Sequence, residues 1–388
     1  MRIAFYAPLK SPTHAVPSGD RRVARLLMDA LARAGYAVEL ASTLRSYVPD
    51  GDAGRQAELR DQGNRIADEL VARWSALPPD QRPGLWFTYH VYYKAPDWIG
   101  PRVAAELGIP YVIAEASYAP KRAGGTWALG HVTTGNAVRS AALVLCPTQD
   151  DVACLLPLVS GSDRIVALPP FLDPGPYQAA AQGRATHRAK MAADHDLDSG
   201  VPWIAVGAMM RPGDKKASYL MLADVLRKSA DIPWRIVVAG DGAARAEIEA
   251  VFEAKVPGRA HFLGECGADA LAAVFAACDL SVWPAVNEAY GMAMLEAQAA
   301  GLPIVSRAVR GVPDVVLDGR TGLLAPVDDV DTLARFTREL LVDASRREAM
   351  GRAAARFVAG ERSVEAAAAT LNRALRGIGI REPVKGAA

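Results

Sequence analysis

The stretch Asn287–Val305, NEAYGMAMLEAQAAGLPIV, decides the fold of this sequence. It follows the apolar run Leu280–Trp283, which has the length and composition of a buried strand. Gly291 predicts a turn, and the small and apolar residues of Met292–Ala300 predict a helix. Ile304–Ser306 then predicts another buried strand. A strand, a helix and a second strand in this order are typical of a βαβ unit in a parallel sheet.

The same alternation of short apolar runs and helical patterns occurs in two series along the chain. The first series predicts strands at Ile3–Ala7, Val38–Ala41, Leu85–Tyr89, Tyr111–Ala114, Leu143–Cys146 and Ile165–Leu168. The second predicts them at Ile204–Val206, Trp234–Ala239, Ala260–Leu263, Leu280–Trp283, Ile304–Ser306 and Gly322–Leu324. Between the two series, residues 174–200 are polar and rich in Ala and Gly, which is typical of a connection.

This organisation predicts an α/β protein of two doubly wound domains. We expect an N-terminal domain at 1–180, a connection at 181–200 and a C-terminal domain at 201–360. A C-terminal helix and tail at 361–388 follow, and the sequence leaves open whether they pack back on the N-terminal domain. The length of 388 residues agrees with two domains.

Composition and charge exclude several classes of protein. Hydrophobic residues make up 51% and charged residues 22%, which is a globular balance and excludes a disordered chain. The formal net charge of +1 argues against a general nucleic-acid binder. No signal peptide or run of about 18 apolar residues is evident, and we expect reduced, buried thiols for the four cysteines. These features favour a cytoplasmic protein and leave peripheral contact with the inner face of the membrane open.

Two carboxylates in the opening stretch could bind a sugar or a nucleotide. Glu288 lies in the loop before the predicted helix, and Glu296 lies in its second turn. A carboxylate accepts two hydrogen bonds from a vicinal diol, such as that of a ribose or a hexose. The free N–H groups near Gly291 and Met292 could hold a diphosphate or a sugar hydroxyl. A pair of solvated glutamates is the alternative.

The pattern N-E-x-Y-G-x-x-x-L-E-A-x-A-x-G-x-P-[IV]-V resembles the E-x(7)-E signature of the family-4 retaining glycosyltransferases. That resemblance implies the GT-B fold, in which two Rossmann-like domains face a central cleft. Four further segments are similar to segments of the family: Gly311–Leu323, Val237–Gly242, Phe262–Gly264 and Ala141–Thr148. The resemblance is dense in the C-terminal domain and sparse in the N-terminal one.

A basic loop follows the first strand of the second domain, in the segment Val206–Tyr219. The family places an Arg and a Lys in this loop, where they stabilise the leaving nucleotide diphosphate. The resemblance assigns these roles to Arg211 and Lys216, with Lys215 as the alternative lysine. Arg grips two phosphate oxygens and Lys supplies a point charge, which suits this task in the absence of a metal.

The N-terminal domain offers weaker candidates. Gly19 lies in the loop 17–21 after the first strand, where a glycine would let a ligand approach the backbone. His90 directly follows the strand Leu85–Tyr89. Many family members carry a His after the strand that corresponds to Tyr111–Ala114, whereas this chain has Glu115 and no His in that segment. We therefore treat His90 and Glu115 as acceptor-side candidates.

Aromatic residues are frequent in the same domain. Two of them, Trp86 and Tyr111, fall within predicted strands and are expected in the core. The others fall in predicted loops beside Lys94, Lys121 and Arg122 and could form an acceptor surface: Tyr92, Tyr93, Trp98, Tyr118 and Trp127.

The resemblance implies an enzyme that moves a hexose from a nucleotide-diphosphate sugar to the hydroxyl of a glycan or lipid, with retention and without a metal. The donor would be a UDP-, GDP- or ADP-sugar, with no bound cofactor. Glu288 would hold the donor sugar and Glu296 the ribose. An epimerase or phosphorylase of the same fold, and a two-lobed binding protein, are the alternatives. The oligomeric state and the identities of donor and acceptor are not readable from the sequence.

Overall fold

A computed structural model describes residues 1–16 and 18–380 of the protein. Pro17, in the predicted Gly19 loop, and residues 381–388 of the expected C-terminal tail lie outside the described residues. The chain divides into two compact units. The first unit comprises Met1–Pro169 and the chain from Val364 onward, and the second comprises Pro170–Ser363.

The first unit is built on a six-stranded sheet in which every strand pair is parallel. Its strands are β1 (Arg2–Tyr6), β2 (Ala37–Ser42), β3 (Pro83–Val91), β4 (Tyr111–Ala116), β5 (Leu143–Cys146) and β6 (Ile165–Ala167). The strand order is β2-β1-β3-β4-β5-β6, so the order reverses between β1 and β3. The central strands are buried along most of their length, which agrees with their continuous apolar runs.

Helices connect these strands and cover the sheet. They are α1 (Gly19–Arg33), α2 (Ala53–Ser75), α3 (Gly100–Leu107), α4 (Ala128–Ser140), α5 (Gln149–Leu155) and, from the end of the chain, α14 (Val364–Gly377). The helix α14 packs on α1, and Glu365 forms an ion pair with Arg33. The C-terminal helix is therefore part of the first unit.

The second unit contains another six-stranded parallel sheet. Its strands are β7 (Trp203–Gly207), β8 (Arg235–Ala239), β9 (Ala260–Gly264), β10 (Leu280–Val282), β11 (Ile304–Arg307) and β12 (Gly322–Ala325). The order of neighbouring strands across the sheet is β9-β8-β7-β10-β11-β12. If the six strands are numbered 1 to 6 along the chain, this is the 3-2-1-4-5-6 order of a Rossmann domain. Its reversal lies between β7 and β10.

The helices of the second unit include two in the stretch 174–200, which the sequence predicted to be a connection. They are α6 (Gly175–Gln182), α7 (Arg184–His195), α8 (Asp214–Arg227), α9 (Arg245–Lys255), α10 (Ala268–Ala277), α11 (Met292–Ala299), α12 (Val330–Val342) and α13 (Ala344–Glu361). The expected connection at 181–200 is thus largely helical, because α6 and α7 pack on α10. Arg184 and Arg188 of α7 both form ion pairs with Asp279, which lies between α10 and β10.

The cysteines and the possible membrane spans can also be compared with the predictions. Cys146 and Cys278 are buried, but Cys154 is exposed and Cys266 is partly exposed, so the expectation of four buried thiols was wrong for these two. Within the described residues, no helix is both long and apolar enough to cross a membrane.

Candidate active site

The strongest cluster of polar side chains lies at the reversal point of the second sheet. The loop 208–213 follows β7, and the loop 283–291 follows β10. Ligands of doubly wound sheets bind beyond the carboxyl ends of the strands at such a point, because the connections of the two neighbouring strands diverge to opposite faces. The loops and the helices that follow them carry the predicted residues Arg211, Lys215, Lys216 and Glu288.

Two glycines after β8 determine the path of the loop after β7. A Cβ atom at Gly240 would overlap the carbonyl oxygen of Ala208, and one at Gly242 would overlap that of Met210. Both glycines also have φ near 150°, which side chains rarely tolerate. The N–H of Met210 donates to the carbonyl of Asp241 at 2.8 Å. The Gly-Asp-Gly sequence therefore lets the β7 loop lie directly on the neighbouring loop.

The two adjacent lysines of α8 bind different carboxylates. Lys215 forms an ion pair with Glu288, and its ammonium group lies 5.5 Å from the centre of the Trp283 ring. Lys216 is paired instead with Glu247 of α9 at 2.5 Å. The structure therefore brings Lys215 to the loop that carries Glu288, while Lys216 contacts the neighbouring helix.

Arg211 is exposed, and no hydrogen bond or ion pair of its side chain occurs among residues 1–16 and 18–380. Its carbonyl oxygen accepts a hydrogen bond from the N–H of Lys216 at 3.0 Å, which fixes the backbone at the start of α8. The backbone is therefore ordered while the guanidinium group is available to an anion.

The loop after β10 is held in a strained conformation around Glu288. Ala285 and Asn287 of this loop are non-glycine residues with φ of 56° and 50°, and Arg310 in the loop after β11 has φ of 45°. Each such residue costs about 1–3 kcal/mol and persists only where its surroundings fix it. Asn287 supplies part of that support, since its amide donates to Asp214 at 3.0 Å and its carbonyl oxygen accepts from Arg310 at 3.3 Å.

Glu288 itself is well ordered by its neighbours. Its side chain is 16% exposed, and besides Lys215 it accepts a hydrogen bond from the indole N–H of Trp283 at 3.3 Å. A cation and an N–H on one carboxylate leave acceptor positions for hydroxyl donors. Trp283 was predicted as a strand residue only, and its part in orienting Glu288 has no sequence signal.

The helix α11 begins directly after this loop. Gly291 has φ of 80°, and a Cβ atom there would overlap the side chain of Met294. Among the described residues no side chain caps the helix, and the N–H of Met294 donates to the carbonyl of Gly291 at 3.0 Å. Glu296 lies in the second turn and is 3% exposed, so the two glutamates of the signature occupy different environments.

Arg307 supports the same region from the end of β11, although sequence reasoning missed it. Its guanidinium group is buried and donates to the carbonyl of Pro284 at 2.7 Å and to that of Val327 at 2.6 Å. Burial lowers the pKa of Arg307. The sequence did contain a signal for this role, because an arginine ends the apolar run IVSR. A charged side chain at the end of a buried strand needs hydrogen-bond partners.

The first unit has a second cluster at its own reversal point, between β1 and β3. Nδ1 of His90 lies 3.1 Å from a carboxylate oxygen of Asp20 and 3.5 Å from one of Glu115. Asp20 lies in the first turn of α1, and the other two residues lie near the ends of β3 and β4. The structure thus joins the two acceptor-side candidates and adds Asp20, which the sequence did not single out.

His90 and Glu115 also share an unusual backbone conformation. Their φ angles are 62° and 61°, so both residues are left-handed although they lie inside the strands. The prediction that His90 follows the strand was therefore wrong, because β3 continues to Val91 through this irregularity. Left-handed residues near strand ends redirect their side chains and often occur at functional sites.

The charges in this cluster favour a protonated His90. Burial disfavours the charged ring, but the carboxylates of Glu115, Asp20 and Asp151 outweigh it and raise the pKa of His90. Burial also raises the pKa of Glu115, with Asp151 and Asp20 adding to the effect. Burial acts to raise the pKa of Asp20 too, but the hydrogen bond and the charge of His90 outweigh burial, so the pKa of Asp20 is lowered.

Gly19 is the first residue of α1 and has open space beside its Cα atom. Ser18 caps the helix by accepting from the N–H of Arg21 at 3.2 Å. The Arg21 side chain donates to the carbonyls of His14 and Ala15, so it organises the preceding loop. The start of α1 is therefore accessible at Gly19, and Arg21 beside it is held by hydrogen bonds to backbone oxygens.

Metal-ligand geometry is not found in the described part of the chain. No group of three or more His, Cys, Asp or Glu side chains there could hold a metal ion. Asp329 accepts a hydrogen bond from the N–H of Thr332 at 2.8 Å and caps α12.

Comparison with known proteins gives these units a context. Residues 203–343, which include the loops at the second reversal point, match the model of a family described as Glycosyl transferases group 1. A D-inositol 3-phosphate glycosyltransferase of Pseudarthrobacter chlorophenolicus is 26% identical, and the match covers 90% of this chain and 88% of that protein.

Solved structures share the fold at lower identity. Sucrose-phosphate synthase from Thermosynechococcus elongatus has a TM-score of 0.70 at 19% identity, covering 97% of this chain and 99% of that one. HepE of Anabaena, solved with UDP-glucose, has a TM-score of 0.66 at 16% identity, covering 97% and 99%. These likenesses confirm the predicted GT-B fold class, and the relatives confirm the prediction that this protein is a glycosyltransferase.

Proposed function

We propose that the protein is a retaining, metal-independent hexosyltransferase of the family-4 type. It moves a sugar from a nucleotide-diphosphate sugar to the hydroxyl of a glycan or lipid acceptor. The observation that carries this proposal is the contact of Lys215 with Glu288 at the reversal point of the second sheet. This contact brings a lysine, which is suited to binding phosphate, next to a glutamate, which is suited to binding sugar hydroxyls. Both lie at the edge where such sheets bind ligands.

The donor half of the site has distinct parts in this proposal. Arg211 and Lys215 bind the diphosphate and stabilise the charge that it gains as the bond to the sugar breaks. Lys215 takes the role first assigned to Lys216, because Lys216 is paired with Glu247. Glu288 binds hydroxyls of the sugar together with the N–H groups near Gly291 and Met292, and Glu296 binds the ribose.

In the transfer step the acceptor oxygen attacks the anomeric carbon on the face from which the diphosphate departs. The bond between that carbon and the phosphate oxygen breaks, and the diphosphate takes the proton of the acceptor hydroxyl. No side-chain base is required by this scheme. The fixed cations supply the electrostatic stabilisation that a metal supplies in other enzymes.

We further propose that the donor is a UDP-, GDP- or ADP-sugar, among which the UDP-glucose bound to HepE favours a UDP-sugar. His90, Glu115 and the start of α1 at Gly19, all in the first unit, are the proposed acceptor-side groups. The relatives named for inositol phosphate transfer support a small polyol or a lipid-linked polyol as acceptor. A cytoplasmic protein with peripheral membrane contact fits such acceptors.

The test has two stages. A thermal-shift screen of UDP-, GDP- and ADP-sugars identifies the donor, because a ligand that binds the native state raises its apparent stability. Release of the nucleotide diphosphate is then measured with the selected donor, with and without EDTA, and the anomeric configuration of the product is read by NMR. We expect slow hydrolysis that EDTA does not reduce, and a product with the donor's configuration.

Other results would redirect the assignment. Conversion of the donor into an epimer without release of nucleotide would indicate an epimerase. Tight binding of a nucleotide sugar without any turnover would indicate a binding protein. Loss of turnover in EDTA, or an inverted product, would contradict the proposed mechanism directly.

A further inference from the structure

Three loops of the first unit are joined at the carboxyl edge of its sheet. They follow β2, β3 and β4. The N–H of Val48 donates to the carbonyl of Lys94 at 2.8 Å, and the indole N–H of Trp127 donates to the carbonyl of Val48 at 3.2 Å. The buried Gln56 of α2 donates to the carbonyl of Thr126 at 2.7 Å and anchors the third loop.

Aromatic rings form a continuous strip across these loops. The ring centres of His90 and Tyr92 are 5.2 Å apart, those of Tyr92 and Tyr93 are 5.5 Å apart, and those of Tyr93 and Trp127 are 5.6 Å apart. All four side chains are half-buried, so each also presents surface to solvent. Trp98, expected in the same surface, is buried with Val48 and Leu59 instead.

Two cations lie over one end of this strip. The ammonium group of Lys94 is 5.0 Å from the centre of the Trp127 ring, and the guanidinium group of Arg122 is 5.0 Å from the same centre. Arg122 also lies 5.4 Å from the centre of the Tyr93 ring. We call Tyr93, Lys94, Arg122 and Trp127 the basic aromatic platform.

The positive charge of the platform is not balanced within the part of the chain that the structure describes. Neither Lys94 nor Arg122 has a carboxylate partner there, and Nε of Arg122 is buried without a hydrogen bond. Other arginines of the same unit do have such partners, for example Arg73 with Glu39 and Arg55 with Glu58. Two like charges on one indole repel each other unless an anion lies between them.

We propose that the basic aromatic platform binds an anionic group of the acceptor, a phosphate or carboxylate carried by a sugar or polyol. Paired Lys and Arg side chains are suited to such groups, and the aromatic strip offers faces on which a sugar ring stacks. The polyol then extends along the strip towards His90. This proposal rests on the proposed transferase function, because it names the class of acceptor.

The experiment compares charged ligands with their neutral counterparts on the full chain. Glucose 6-phosphate, glucuronate and glycerol 3-phosphate are titrated against glucose and glycerol, and binding is followed by ligand-observed NMR. The test variant is K94Q/R122Q, and K121Q is the matched control, because Lys121 is exposed and contacts neither ring. Vesicles of phosphatidylcholine with and without phosphatidylglycerol form a second arm.

We expect a charged probe to bind about tenfold or more tightly than its neutral counterpart, as charge-assisted contacts predict. K94Q/R122Q abolishes that preference and K121Q keeps it. If only the phosphatidylglycerol vesicles show this dependence on Lys94 and Arg122, the anion is a lipid head group. Equal binding of charged and neutral probes with no vesicle binding, or full binding by K94Q/R122Q, overturns the proposal.

Binding of UDP is measured on the same samples. Donor binding by K94Q/R122Q equal to that of the wild type shows that the donor half in the second unit is intact, and an unchanged melting curve shows that the substituted first unit is folded. A wild type that prefers charged probes but binds no nucleotide would refute the transferase proposal while leaving the anion site established.

Discussion

Lys215 and Lys216 offer a matched pair for testing the donor site. They are adjacent residues of the same charge and length in the first turn of α8. Lys215 contacts Glu288, whereas Lys216 contacts Glu247 on α9. We therefore expect Lys215→Gln to impair sugar transfer strongly and Lys216→Gln to leave it nearly intact.

The magnitude follows from what each lysine contacts. A hydrogen bond to a charged group contributes about 1.5–3 kcal/mol, and each 1.4 kcal/mol is a factor of ten, so Lys215→Gln should lower kcat/KM about 10- to 150-fold. Lys216 is bound to a carboxylate that is 59% exposed, and such surface pairs contribute about 0–1 kcal/mol. Its loss should change transfer by less than about fivefold.

The assay is the rate of nucleotide diphosphate release over a range of donor concentrations, for the wild type, both variants and Lys215→Arg. Melting curves without ligand check that each variant is folded. Lys215→Arg should recover part of the activity, because it restores the positive charge. A larger loss for Lys216→Gln than for Lys215→Gln would refute the assignment made from the ion pairs.

Three further predictions use single substitutions. Arg211→Gln should leave unfolding unchanged within about 0.5 kcal/mol, since the side chain is exposed and unpaired in the described chain, but reduce the stabilisation by UDP in thermal-shift measurements. Arg307→Met should lower the melting temperature clearly, because the buried carbonyl of Pro284 loses its donor at a cost of about 1–3 kcal/mol and the more exposed carbonyl of Val327 loses one as well; an unchanged melting curve would contradict this. His90→Asn should cost the most stability at low pH. The folded state raises the pKa of His90, so its contribution is complete below the ordinary value of about 6.5 and is lost as the pH rises through the folded value. Melting curves of both proteins between about pH 5.5 and about pH 9 check this, and a difference that does not depend on pH would count against the charged pair.

The strands of both sheets could be predicted because their signal is local. A short apolar run such as Leu143–Cys146 has few alternatives once the helical patterns around it are recognised. The prediction of two doubly wound domains then follows from two series of such runs. The reversal points, where the site residues cluster, follow in turn from the strand order.

The helix α7 could not be predicted in this way, because the contacts that stabilise it are made with residues distant in sequence. Its region is polar, and the sequence therefore favoured a connection. Arg184 and Arg188 fix it by binding Asp279, about 90 residues later, and the carbonyls at the end of α10. Ion pairs of this separation leave no periodic pattern in the sequence.

The orientation of functional side chains was the hardest feature to predict. Successive residues of a helix point about 100° apart, so the choice between Lys215 and Lys216 depends on where α8 begins relative to the loop of Glu288. Similarly, no pattern indicates that His90 has φ of 62° and thereby turns towards Asp20. Residue types were therefore predictable, and pairings were not.

Both units place their charged clusters by the same physical rule. At the reversal between β7 and β10 the helices leave to opposite faces of the sheet, and Lys215 and Glu288 meet in the space that this opens. At the reversal between β1 and β3 the same geometry lets His90 meet Asp20. The first cluster pairs a cation suited to phosphate with a carboxylate suited to hydroxyls, and the second places the imidazole of His90, whose pKa the neighbouring carboxylates raise, beside Asp20 and Glu115. Because each cluster combines charge with left-handed residues that the fold must support, random surface charge is a poor explanation for either.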